Sequence, residues 1–96
     1  MFARVATFEG DQAQIRQMAA EIGRDSASGP PEGVPAKELL VLTGRDSGKL
    51  LAMVLFETED ELRQGDATLN AMNPPADVGV ARRSVEMFEV AVHERA

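Results

Sequence analysis

Apolar residues along this chain fall into four runs that read as strands and two stripes that read as helices. Residues 2–8 (FARVATF) form the first strand pattern. From about 12 to 24, Ile15, Met18, Ala19 and Ile22 recur at i, i+3, i+4 and i+7, one face of an amphipathic helix. Asp11 precedes it as N-cap, with Gln14 at capping-box spacing. Residues 25–36 (DSASGPPEGVPA) favour turns and forbid a continuing helix, so they read as a loop. Two apolar runs, 37–43 (KELLVLT) and 50–57 (LLAMVLFE), are joined by the short GRDSGK segment at 44–49, a β-hairpin signal. Thr58 caps a second helix and Glu61 completes its capping box, while Glu59, Asp60 and Glu61 suit the positive end of the helix dipole. Leu62, Gly65, Leu69 and Met72 continue one face to about residue 72, where Pro74-Pro75 ends it. Gly65 weakens a helix, and its use is close approach to a sheet. After a loop to about Val80, residues 82–93 (RRSVEMFEVAVH) form a last strand.

The order is β-α-β-β-α-β. Right-handed crossovers place the strands as 4-1-3-2, which predicts an α+β, ferredoxin-like sandwich: one antiparallel sheet with two helices on one face. Residues 1–96 are read as a single domain. Two helices cover one face only, yet the strands do not alternate apolar with polar. Leu39 to Leu42 and Leu50 to Phe56 are continuous apolar runs, and the last strand offers Phe88, Val90 and Val92 to one side and Val85, Met87 and Ala91 to the other. Such a face carries on the order of several hundred Å² of apolar area, more than soluble monomers usually expose. A homodimer, sheet on sheet, is therefore expected.

Composition narrows the function. The chain has 96 residues, a net charge of −6 and no cysteine. Disulfides and thiolate chemistry are excluded. An acidic chain whose sole adjacent basic pair is Arg82-Arg83 lacks the basic stripe that nucleic acid requires. No apolar run approaches the roughly 18 residues of a membrane span, and the N-terminus shows no signal-peptide pattern, so a cytoplasmic location is expected.

A chain of this length and order, with both sheet faces apolar, resembles the dimeric α/β-barrel superfamily, and within it the antibiotic biosynthesis monooxygenase-like domains. The resemblance spans nearly the whole chain. It is carried by the opening strand Phe2-Ala3-Arg4-Val5-Ala6-Thr7-Phe8, the passage Leu55-Phe56-Glu57-Thr58-Glu59-Asp60-Glu61-Leu62, and the closing strand Val85-Glu86-Met87-Phe88-Glu89-Val90. It implies a homodimer with facing sheets and a cavity between sheet and helices. Some members oxidise polycyclic aromatic compounds without metal or organic cofactor, and some cleave haem. The Asn, Trp and Tyr-or-His set of the monooxygenase members is incomplete here: Trp and Tyr are absent, and the asparagines are Asn70 and Asn73.

Candidate ligand-binding residues are Arg4, Thr7, Met53, Phe56, Glu86 and Phe88. Polar groups in an apolar cavity are typical of small-molecule sites. The competing reading makes Arg4 and Glu86 a cross-strand ion pair on the surface and the Met and Phe side chains simple core. Met18, Met72, Met87 and Phe8 are further candidates for a pocket wall. His93, the single histidine, reads as solvated, near a chain end. Gly44 to Leu50 only echoes a phosphate loop: it is one residue short and precedes a strand. No catalytic set emerges, and no cofactor or metal is expected. Two functions follow. One is a small-molecule-binding member of the superfamily, extending to a cofactor-independent monooxygenase acting on a small apolar or aromatic ligand. The other is a non-catalytic dimeric module that binds a metabolite or a protein.

Overall fold

The computed structural model describes residues 1–72 and 79–94. Strand β1 (Phe2–Gly10) is followed by helix α1 (Gln12–Ser26), strands β2 (Glu38–Thr43) and β3 (Lys49–Phe56), helix α2 (Glu59–Ala71) and strand β4 (Val80–Glu89). All strand pairs are antiparallel and the order is β2-β3-β1-β4, the expected 4-1-3-2 read from the other edge. Both helices contact the sheet, α1 over β1, β2 and β3 and α2 over β1 and β3. The Pro74-Pro75 stop and Asn73 lie outside the described residues.

The helix starts follow from their caps. The Asp11 carboxylate accepts from the Ala13 and Gln14 amides at 3.1 and 3.4 Å. Thr58 Oγ1 accepts from the Glu61 amide at 3.1 Å and donates to Glu61 Oε1 at 3.3 Å. Gln12 reaches across to the β2–β3 turn, donating to the Gly44 carbonyl at 2.9 Å and accepting from the Gly48 amide at 2.8 Å. That contact ties the hairpin to the first turn of α1.

The last strand departs from its expected span of 82–93. It starts at Val80 because β1 runs on to Gly10, which pairs with Val80. It stops at Glu89, opposite Phe2, because β1 has no further residues to form a ladder. One more backbone bond follows, from the Val90 amide to the Met1 carbonyl at 2.9 Å.

Side-chain parity follows from the register, since directly paired residues in an antiparallel sheet share a face. Phe2, Arg4, Ala6 and Phe8 of β1 lie with Leu50, Ala52, Val54 and Phe56 of β3 on the helix-covered face. Ala3, Val5 and Thr7 lie with Leu51, Met53 and Leu55 on the open face. Two clusters form the core. Ala6, Phe8, Ile15, Leu50 and Val80 make one, and Val34, Val54, Phe56 and Leu62 the other.

Gly65 is where α2 meets the sheet. A Cβ there would stand 2.4 Å from Phe56 Cζ, and Phe56 is fully buried, so its ring has nowhere to retreat. Two stability changes follow. Gly65→Ala is expected to destabilise by about 1–3 kcal/mol through overpacking, outweighing the roughly 1 kcal/mol that alanine contributes to an ordinary helix. Thr58→Ala should lower stability by about 0.5–2 kcal/mol through loss of the cap. Urea denaturation midpoints check both, and a Gly65→Ala protein more stable than the parent would contradict the close contact.

Candidate functional site

The two helices do not close over the sheet completely. Between them and the strands lies a cavity of about 520 Å³. Its floor is Ala6, Phe8, Ala52 and Val54, with Met18 and Ile22 on the α1 side and Leu69 and Met72 on the α2 side. The connection between α1 and β2 supplies the rest of the wall through Pro30, Pro31, Val34 and Ala36. This proline-rich segment is anchored at its far end. Gly33 takes a positive φ of 84°, its carbonyl accepts from Thr68 Oγ1 at 3.1 Å, and the next residue, Val34, enters the core.

Against these apolar walls stands one buried charge. Arg4 is 4% exposed, the sole charged residue that is buried among the described residues. Its Nε donates to Asp66 Oδ1 at 2.8 Å and its Nη2 to Asn70 Oδ1 at 3.0 Å. Asn70 Nδ2 donates back to Asp66 Oδ2 at 3.3 Å, so the two α2 side chains, one turn apart, brace each other. Asn70 Oδ1 also accepts from Arg82 Nη1 at 2.8 Å. Both arginines line the cavity.

Arg82 is aimed there by a β-bulge. The β1–β4 register slips between Thr7, which pairs with Ser84, and Phe8, which pairs with Arg82. Arg83 is the extra residue; had the register not slipped, Arg83 would pair with Phe8 and Arg82 would fall opposite Glu9 on the open face. Arg83 instead pairs with Glu9 at 3.5 Å.

Of the residues singled out from sequence, Arg4 lines the cavity. Phe56 lies on the same face but is sealed in the core beneath Gly65. Thr7, Met53, Glu86 and Phe88 lie on the open face, across the sheet from the cavity. The surface ion pair between Arg4 and Glu86 is not formed: Glu86 is paired with Val5 and faces away, whereas Arg4 lies opposite Met87 and binds Asp66. Asp66, Asn70 and Arg82 are not among the site residues that the sequence singles out. For the two α2 residues a signal was there: Asp66 and Asn70 follow Leu62 at i+4 and i+8 on the buried side of α2, where a polar side chain needs a partner.

His93 is half exposed and its Nε2 lies 3.1 Å from Glu38 Oε2, outside the cavity wall. Since β4 and β2 are opposite edges of the sheet, the residues after Glu89 must cross its end to make that contact. Among the described residues no group of three His, Asp or Glu side chains is placed to hold a metal ion, and no helix is long and apolar enough to cross a membrane.

With this geometry the chain can be set beside solved structures. No protein-family model matches it, and neither does any curated protein sequence. Its backbone is similar to that of the heme-degrader MhuD from Mycobacterium tuberculosis, a structure with two hemes in its active site: TM-score 0.70, 9% identity, 99% of this chain and 100% of the other. A variant of MhuD holding two manganese protoporphyrin IX per active site aligns with TM-score 0.69, 11% identity and all of both chains. A candidate antibiotic biosynthesis monooxygenase from Deinococcus radiodurans aligns with TM-score 0.62, 12% identity, all of this chain and 98% of the other. The chain has the antibiotic biosynthesis monooxygenase-like fold. At these identities the likeness concerns the fold, which hosts more than one activity.

The buried network makes a stability prediction. Asp66→Ala leaves the Arg4 guanidinium buried without its counter-charge and is expected to cost roughly 3 kcal/mol. Removing both charges, Arg4→Met with Asp66→Leu, should cost clearly less, because no buried ion is left unpaired. Chemical denaturation of the two proteins checks this, and equal losses would show that the pair is not coupled.

Proposed function

We propose that this chain is a small-molecule-binding protein of the antibiotic biosynthesis monooxygenase-like superfamily. In this reading it works as a homodimer and holds a small apolar or aromatic ligand in the cavity between sheet and helices. The observation that carries the reading is the cavity itself. A space of about 520 Å³ with mostly apolar walls and a single buried guanidinium has the size and chemistry of a ligand site. A packed core at this place would have favoured a protein-binding module.

Catalysis without a cofactor extends this reading. A ligand that itself supplies electrons to dioxygen would need a base to take its proton. Glu21 and Asp25, both on the wall, are carboxylates that can do so. Of the usual haem-iron ligands the wall offers methionine alone, in Met18 and Met72, with no histidine, cysteine or tyrosine, which favours an uncoordinated aromatic ligand over a porphyrin. Thermal shift with 2-naphthol is the direct test. Stabilisation that disappears when Ala52→Phe fills the floor supports the cavity as the site, and no shift at millimolar probe argues against it.

The homodimer rests on the open face. Leu40, Leu42 and Phe88 are 54%, 44% and 47% exposed there, beside Val5, Leu51, Met53 and Leu55. A second copy presenting the same patch is the simplest cover, because a two-fold interface needs only self-complementarity. Thr7, Met53, Glu86 and Phe88 would then belong to the interface. Leu55→Asp, on the open face, should yield a folded monomer, whereas Val54→Asp, under the helices, should unfold the chain. Light scattering with circular dichroism separates the two, and a native chain that runs as a 10.3 kDa monomer at micromolar concentration would overturn the assembly.

A further inference from the structure

The arrangement of charge at the α2 end of the cavity points to one kind of ligand. Arg4 and Arg82 converge on a single oxygen, Asn70 Oδ1, from two neighbouring strands. Asp66 is the sole carboxylate among the described residues that forms an ion pair with either of them. Two guanidinium groups and one carboxylate leave one positive charge in excess. That charge borders an apolar cavity, with Arg4 buried and Arg82 at the exposed mouth. The excess belongs to the α2 end of the cavity and not to the wall as a whole, which also carries Glu21 and Asp25 on its α1 side. Lys37 is engaged by Glu57 at 3.5 Å and Glu38 by His93 at 3.1 Å. Glu21 and Asp25 enter from α1 and form no ion pair with either arginine.

Donor capacity points the same way. A guanidinium has five N–H groups in a planar fork. Arg4 uses Nε and Nη2 on Asp66 and Asn70, and Arg82 uses Nη1 on Asn70. Arg4 is more than nine-tenths buried, and no side-chain nitrogen or oxygen that is shut off from the surface lacks a partner. Its Nη1 donates to no described residue, and Arg4 lines the cavity.

We propose that Arg4 and Arg82 together seat a carboxylate of the ligand, whose apolar or aromatic body fills the cavity. A singly charged, planar anion matches both the excess charge and the fork geometry. Asp66 and Asn70 are positioning residues that hold the two forks toward one point. This inference rests on the cavity being the ligand site and adds the class of ligand that it selects.

The test compares 2-naphthoate with 2-naphthalenemethanol, which has a similar body and no charge, by isothermal titration with the full chain. The carboxylate is expected to bind at least about tenfold more tightly. Arg82→Gln, at an exposed position, should remove most of that advantage, with circular dichroism confirming the fold. Ala52→Phe should abolish binding of both. Equal affinities for the two probes, or an advantage that survives Arg82→Gln, would overturn the carboxylate seat while leaving the cavity as a ligand site. Binding of neither probe, or binding of both that persists in Ala52→Phe, would overturn the cavity reading as well.

Discussion

Arg4 points from the sheet toward the helices between Phe2 and Ala6, and a bare guanidinium there would be prohibitively costly. Its burial therefore dictates what surrounds it. A carboxylate must lie within hydrogen-bond reach, and Asp66 meets that need from the facing side of α2. Asp66 can reach only if α2 lies close to the sheet, which is what Gly65 permits by letting the helix rest on the Phe56 ring. The leftover acceptor demand falls to Asn70, one turn on, and Asn70 in turn draws Arg82 of β4 to the same point. One buried charge thus fixes the approach and rotation of α2, and couples three elements around the mouth of a cavity.

The two sheet faces solve the problem of hydrophobic burial differently. On the helix side, Ile15, Leu50 and Phe56 are fully enclosed. On the open side, no described element covers Leu40, Leu42 or Phe88. A small domain that leaves this much apolar surface exposed forgoes part of its stabilisation, which is limited at this length in any case. The same alternation that sends Val54 inward sends Leu55 outward, so neighbouring positions in β3 serve unrelated purposes.

The layout was legible from sequence because it rests on local signals. Asp11 and Thr58 mark helix starts by hydrogen bonds that span three residues, and the hairpin between 43 and 50 is a contact between near neighbours. The continuous apolar runs in β2 and β3 gave the doubly apolar sheet, but a continuous run hides parity. That is why Met53, Phe56 and Phe88 could be named as candidates without knowing which face each would occupy. The site was less legible because it is a long-range object. Arg4 and Asp66 are 62 positions apart, and only the register and the rotation of α2 bring them together. Arg82 was beyond reach altogether: a plain alternation of β4 against β1 places it on the open face, and one extra residue at the bulge reverses that.

That bulge bears on both the cavity and the open face. β4 is an edge strand, held on one side only by β1. Below the bulge it directs Arg82 into the cavity, and beyond it Ser84, Glu86 and Phe88 face the open side. An edge strand left to itself is free to fray or slip by one residue, and a slip here would carry Arg82 out of the cavity and Phe88 off the open face together. Docking of a second copy on Phe88 and its neighbours would oppose such a slip, because only one register presents the apolar side chain to the partner. Assembly would then hold the cavity's second arginine in place from the opposite face of the sheet, without any partner residue having to enter the site.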